Sequence, residues 1–240
     1  MPPNPFLGLW QRRSIQFDRS AADTSQAVLW IQAETHFADV RQVPFGGPLT
    51  PDRYREMDWR SRFDADLLGF AGTFSWAADD ATCGTCTWRH ALALTPRLWP
   101  DTSRYEWLDA DTFLERGTCA DDDGTDHPFV EHWCRIHPGP VAVWSIAQGD
   151  LRGQALTAGD WAVVVHQWRP ASASPIRDRE TLAAFSATAW RHKRGTWQPQ
   201  FGTETCLGSP PRWTPQDFDR GAIAAPGIAP ACPPLGAEVN

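Results

Sequence analysis

The chain has 240 residues and a formal net charge of -7, from 22 basic and 29 acidic side chains, with 42% hydrophobic residues. That length accommodates one large all-β domain, and the apolar content excludes a disordered chain. An acidic balance with no basic stripe argues against nucleic acid and anionic membranes as partners. Fourteen Trp against two Tyr is the unusual feature. An indole is large and carries an N–H that seeks a partner, often beside a cavity or an interface.

The first residues, MPPNPFLGLWQRRS, lack the basic head and apolar run of a signal peptide. No stretch approaches eighteen apolar residues, so no transmembrane helix is expected. Six cysteines are too sparse for a disulfide scaffold, and a cytoplasmic protein with free thiols is the expectation. Alternation then begins. Leu9, Gln11, Arg13 and Ile15 fall on one strand face, and Trp10, Arg12, Ser14 and Gln16 on the other. In residues 26–43, Trp30, Gln32, Glu34 and His36 share one parity and Leu29, Ile31 and Ala33 the opposite one, with a bend near Glu34–His36 dividing two strands.

Residues 43–50, VPFGGPLT, read as a turn, and Pro51 opens a helix over roughly 51–62 in a charged segment without β-branched residues. Strand-like runs follow: LLGFAGTFSWA, TCTWRHALAL, SRYEWLDA, DTFLERG, HPFVEHWCRI, VAVWSIAQG, RGQALTAG and DWAVVVHQWR. The acidic run Asp121-Asp122-Asp123 lacks the ligand spacing of a calcium loop and reads as solvated. Residues 179–190 suit a short helix or another strand, and KRGTWQPQFGTETC a final hairpin. From Leu207 to Asn240, seven of 34 residues are Pro and four are Gly, the composition of an irregular tail. The chain thus divides into a β domain over residues 1–206 and a tail over 207–240. A break near Pro138–Pro140 would split the former into two β units. Many short strands and few helices imply an all-β antiparallel barrel, whose closure removes strand edges.

Gly8-Leu9-Trp10 resembles the Gly-x-Trp start of lipocalins and other calycin barrels. The resemblance implies that Trp10 plugs one barrel end beneath a basic residue from a late strand, with Arg169 and Arg191 as candidates. WQRRSIQF, VLWIQAETHFADVRQ, FAGTFSW, WRHALALTP, FLERG and FVEHW resemble, in that order over residues 8–135, a calycin-like family named in fungi for interaction with the Hrr kinase. That family implies a lipocalin-like fold with Trp, Arg and acidic residues at strand positions. Segment 101–107, DTSRYEW, departs from it where an Asp-Gly step is expected.

Barrel strands alternate inward and outward residues, and larger barrels enclose ligands. Aromatic and ionisable residues share a parity in six strands: Trp10 with Arg12; Trp30 with Gln32 and Glu34; Phe74 with Trp76; Trp88 with His90; Glu131 with Trp133 and Arg135; His166 with Trp168. For Trp30 the opposite face could equally pack the core, and Val163 and Val165 form a core face opposite His166. Arg89 is a poor interior residue, which turns Trp88 and His90 inward. This pattern predicts a Trp-lined cavity. In it His90 passes protons, Glu131 or Glu34 orients it or acts as base, and Arg12 or Arg135 holds an anionic group. Trp30, Gln32, Trp76, Trp88, Trp133, His166 and Trp168 complete the substrate-binding set.

No nucleophile elbow and no His-x-His or His-Glu-x-x-His cluster is present, so neither an acyl-transfer site nor a metal is expected. Cys83 and Cys86 form a lone Cys-x-x-Cys with neither a second pair nor a following helix, and read as strand residues. The favoured expectation is a cofactor-independent isomerase, cyclase or lyase acting on a hydrophobic, aromatic or polyketide-like metabolite. A calycin-like binding protein and a protein-interaction module are the alternatives, and homodimerisation is left open.

Overall fold

The computed structural model describes residues 4–43, 45, 48–95, 99–121, 123–148, 151–167, 185–203 and 215. Eight antiparallel strands close a barrel in sequence order: β1 (Gly8–Phe17), β2 (Ala27–Gln32), β3 (His36–Gln42), β4 (Gly69–Ala78), β5 (Cys83–Ala93), β6 (Asp101–Asp109), β7 (Thr112–Ala120) and β8 (Asp126–His137), with β8 pairing back onto β1. The chain leaves the barrel at His137 and enters a five-stranded sheet at Val141. Its strands are β9 (Val141–Gln148), β10 (Leu151–Ala158), β11 (Trp161–Gln167), β12 (Phe185–Lys193) and β13 (Thr196–Gly202), in the order β13-β12-β11-β10-β9. The expected final hairpin is β12–β13, turning at Arg194 and Gly195 with positive φ. Residues 179–184, and the proposed tail apart from Pro215, lie outside the described residues.

Period-two patterning fills two cores from the same strands. Leu29, Ile31, Ala38, Val40 and Ala71 face out of the barrel and pack on Leu156, Val163, Val165 and Ala187 of the second sheet. Each fully buried Val, Leu or Ile contributes about 1.5–3 kcal/mol, so this seam is a main reason the sheet stays on the barrel. The approach is close: a Cβ on Gly69 would lie 2.2 Å from the Ala187 Cβ. The opposite parity, Trp30, Phe37, Phe70, Phe74, Trp88, Phe113 and Trp133, fills the barrel.

Strict alternation fails on β1. A register shift between Arg12 and Ser14 lets Arg12 sit opposite Trp133 and Ile15 opposite Glu131. Such a bulge adds one residue to one strand. Trp10 and Arg12 therefore point inward as expected. Ile15 and Phe17 also turn in, to pack against Phe129, rather than sharing Leu9's outward face.

The expected helix over 51–62 is two helices, α1 (Pro51–Glu56) and α2 (Trp59–Asp66). Thr50 caps α1 by accepting from the Arg53 N–H, and Pro51 takes the first helical position. Met57 is extended, and Asp58 becomes a new N-cap that accepts from the Ser61 N–H. An Asp after one short turn satisfies orphan N–H groups better as a cap than inside a helix, which divides the segment. Both helices lie between β3 and β4, at the barrel end where β1 finishes. No described helix is long and apolar enough to cross a membrane.

Candidate functional site

The barrel's two ends differ in chemistry. At the end where β1 begins, Phe6 plugs the interior, with ring centroids 4.9 Å from Trp107, 5.1 Å from Tyr105 and 5.4 Å from Phe113. The Trp10 Nε1 donates to the Phe6 carbonyl at 2.7 Å. The basic residue over Trp10 is Arg135 of β8, 4.6 Å from the ring centroid, and it also donates to the carbonyls of Pro5 and Leu7. Arg191 lies over Trp161 in the second sheet, and Arg169 is outside the described residues. Gly8 has φ 123°, and a Cβ there would sit 2.3 Å from the His137 carbonyl oxygen, so the Gly of Gly-x-Trp is required by the backbone.

At the other end a cavity of about 360 Å³ opens between the helices and β7–β8. Tyr54, Trp59, Phe63 and Phe129 contribute aromatic wall, and Arg41, Asp101, Glu115 and Glu131 supply charged groups deeper in. Arg41, Asp101 and Glu115 also line a second, inner chamber of about 20 Å³, which is completed by Asp39, Trp30, Trp88, Trp133 and Phe70.

Strand register assembles this cluster. Glu115 on β7 is the direct partner of Glu131 on β8. Directly opposite residues on one face hold their side chains side by side. Arg12 ion-pairs with Glu131 and hydrogen-bonds Gln26. Arg41 sits 3.0 Å from Asp39 and 3.6 Å from Glu131. Two guanidinium groups thus clamp Glu131, while Glu115 accepts from the Trp133 indole Nε1 at 3.1 Å. Burial, with the charges of Glu131 and Asp101, holds the Glu115 carboxyl well above the usual carboxylate range. Burial also pushes Asp39 up to about 6, against the opposing pull of Arg41. The site therefore contains two carboxyls raised by burial, of which Asp39 titrates near neutral pH.

The helices are tied to this floor. Burial raises Asp64 of α2, which hydrogen-bonds Gln26 and so continues the line from Glu131 through Arg12 into the helix. Arg60 reaches Asp23 at 3.0 Å, and the Tyr54 hydroxyl donates to Asp66 at 2.9 Å.

Of the residues expected from sequence, Glu131, Trp30, Trp88 and Trp133 are brought to the two cavities. Arg12 lies immediately behind as the partner of Glu131. His90 takes inward parity opposite Gly72 but stacks on Phe70, 4.3 Å between centroids, and lines neither cavity. Gln32 is buried, bonding the Ala33 and His36 carbonyls near the plugged end. Trp76 packs 6.5 Å from Phe6 at that same end, so it seals rather than lines a cavity. Arg135 is spent on Trp10. Glu34 is exposed in the β2–β3 turn, where strand pairing ends and its side chain leaves the barrel. His166 is buried in the second sheet opposite Ser186, and Trp168 lies outside the described residues.

Three deep residues were missed: Asp39, Arg41 and Glu115. The signal was present, because Phe37, Asp39 and Arg41 share one parity and Phe113 and Glu115 another. A search for charge beside Trp alone passed over charge beside Phe.

Cys83 and Cys86 differ in environment. Cys86 is buried in the barrel core, and burial pushes its thiol well up. A hydrogen bond to Asp80 raises Cys83. At about 3.3 Å per strand residue their Cα atoms are about 10 Å apart, too far for a disulfide. Among the described residues, no group of three or more His, Cys, Asp or Glu side chains is arranged to hold a metal ion.

No protein-family model matches the chain, and no curated protein matches it. Its structure is similar to the crystal structure of the uncharacterized protein YLR301w from Saccharomyces cerevisiae, with a TM-score of 0.60 and 13% sequence identity, over 87% of this chain and 90% of that one. At that identity the likeness is one of fold: a closed eight-stranded barrel with a second sheet has a solved structural neighbour.

Proposed function

We propose that the protein is a cofactor-independent acid–base enzyme, of isomerase, cyclase or lyase type, whose substrate is a small molecule with a flat apolar body. The observation that carries this reading is the juxtaposition of Asp39, Arg41 and Glu115 beneath an aromatic-walled cavity of about 360 Å³. That volume falls in the range of small-molecule sites. Asp39, pushed up to about 6, is matched to proton abstraction near neutral pH. Glu115, whose carboxyl burial holds well above the usual carboxylate range, supplies the acid, and Arg41 offsets negative charge that develops beside it. Glu131 is a positioning residue, fixed by Arg12 and in turn orienting Arg41. This assignment moves the acid–base role from His90 to carboxylates.

The order of the sequence blocks over residues 8–135 supports membership in the calycin-like family named in fungi for interaction with the Hrr kinase, and the Arg135–Trp10 stack fits a calycin barrel. A cytoplasmic location and a small-molecule partner belong to the same proposal. The test is incubation in D2O with a panel of ketones, enones and β-keto acids, followed by NMR and mass spectrometry. Proton transfer to carbon is expected to appear as deuterium incorporation. Asp39→Asn is expected to reduce its rate about a hundredfold or more while circular dichroism is preserved. Compounds that bind without change would identify a binding protein instead. A panel in which nothing binds would remove the cavity from the argument.

A further inference from the structure

The inner chamber is too small for any substrate and large enough for one oxygen atom. Its volume is about 20 Å³, and a single water-sized group occupies about 10–15 Å³ on this measure. It adjoins the outer cavity, and Arg41, Asp101 and Glu115 line both. One of its walls is Trp30, which is only 2% exposed. The Trp30 Nε1 is buried and has no hydrogen-bond partner among the described residues. A buried N–H left without an acceptor costs about 1–3 kcal/mol, and native folds rarely tolerate it unless something fills the place.

Trp30 cannot easily turn to find another acceptor. It stacks on Trp10 at 5.9 Å and meets Phe74 at 5.7 Å and Trp133 at 5.7 Å. Across the chamber, the Trp133 Nε1 is already committed to Glu115. That bond fixes the Glu115 carboxyl, which lines the same chamber.

We propose that the inner chamber is a subsite for a single carbonyl oxygen of the substrate, which accepts a hydrogen bond from the Trp30 Nε1 beside the Glu115 carboxyl. This rests on the acid–base reading above and narrows its substrate class to carbonyl compounds with an acidic C–H beside the carbonyl. In the step it implies, the C–H bond breaks and its proton passes to Asp39. The electron pair forms a carbon–carbon double bond, and the carbonyl π pair moves onto the oxygen. The resulting enolate oxygen stays in the chamber, and Asp39 returns the proton to carbon, so no electrons leave or enter the system. Donors fixed in advance toward the developing charge are what such a step requires.

Phenols imitate an enolate, with a flat ring and one oxygen that accepts strongly. Nitrobenzene has a similar ring without that oxygen. Binding of 4-nitrophenol and of nitrobenzene is to be measured by calorimetry for the wild type and Trp30→Phe. In parallel, the indole N–H resonances of the 15N-Trp-labelled wild type are followed by NMR. The expected result is that Trp30→Phe loses about tenfold or more in 4-nitrophenol affinity and keeps its nitrobenzene affinity. The Trp30 indole N–H is expected to move downfield when 4-nitrophenol binds. The NMR arm uses the wild type, so it decides the matter even where Trp30→Phe fails to fold. Binding of both compounds with an unmoved Trp30 resonance, or with equal losses in the variant, would show that the chamber holds only a water and would overturn the subsite alone. Binding of neither compound would overturn the subsite together with the cavity reading on which it rests.

Discussion

The two ends of the barrel are built by the same strands and solve opposite problems. At the plugged end, Phe6, Trp10, Trp107 and Phe113 meet ring to ring, and a guanidinium lies flat on the outermost indole. The Trp10, Gln32 and Arg135 side chains there donate N–H groups to local carbonyls. At the open end the aromatic packing thins and charged side chains take over, with Arg12, Arg41, Asp39, Glu115 and Glu131 all buried. The Trp excess is therefore shared: Trp10, Trp76 and Trp107 belong to the plug, Trp30, Trp59, Trp88 and Trp133 line the cavities, and Trp144, Trp161, Trp190 and Trp197 lie in the second sheet. The aromatic core gives way to the charged cluster at Trp30, Trp88 and Trp133, which belong to both regions.

Substitutions at the two ends should separate these roles. The largest effect is expected at the plug. Trp10→Ala removes a fully buried indole, strands Arg135 over a void and should cost about 3–5 kcal/mol in urea denaturation. The comparison breaks if this change also abolishes binding at the mouth in protein that remains folded. The charged end should instead show non-additivity. Glu131→Leu leaves Arg12 buried with only Gln26 for company and is expected to cost about 3 kcal/mol. The double variant Arg12→Met/Glu131→Leu should recover most of that loss, because no uncompensated charge remains. A double variant as unstable as the sum of its parts would mean that the pair holds the barrel together. Near-recovery of stability with loss of proton transfer would mark the pair as retained for positioning.

Much of this architecture was legible from period-two patterning, and the exceptions have physical causes. The inward parity of Trp10, Trp88, Glu131 and Trp133 followed from alternation, as did the packing face of Val163 and Val165, whereas alternation left the inward face of the Trp30 strand open. The β1 bulge was not legible, because an extra residue in one strand is set by its partner β8 and leaves no local signature. Nor does alternation say how far along the barrel a residue lies. His90 and Gln32 have the correct parity and the wrong depth, and depth decides whether a side chain meets the cavity or the plug. Asp39, Arg41 and Glu115 escaped notice for a different reason: the strand faces that carry them hold Phe37 and Phe113 rather than Trp. The split of residues 51–66 at Asp58 was readable in principle, since Asp followed by a polar first turn is an N-cap signal.

The smallest expected effect lies at the cavity rim and sharpens the comparison, because here a charged group and an aromatic wall meet. His127 places Nδ1 3.0 Å from Asp18 and Nε2 3.2 Å from Asp121, and its ring stacks on Trp59 at 4.1 Å. The hydrogen bond to Asp18, followed by that to Asp121, raises the His127 pKa above its ordinary value. The sign follows from proton linkage. Below about 6.5 the imidazolium is charged in both folded and unfolded chains, and the pairing contributes in full while the carboxylates are ionised. Between that value and the higher folded value, the native state holds a proton that the unfolded chain has released, so stability falls as pH rises. Above the folded value the contribution is gone. His127→Gln should therefore be less stable than the wild type at about pH 6, with the difference fading by about pH 9 in paired urea titrations. Trp59 forms part of the cavity wall as well as His127's stacking partner, so ligand affinity should weaken over the same window. A stability difference that persists unchanged at high pH would assign the role of His127 to ring packing on Trp59, not to its charge.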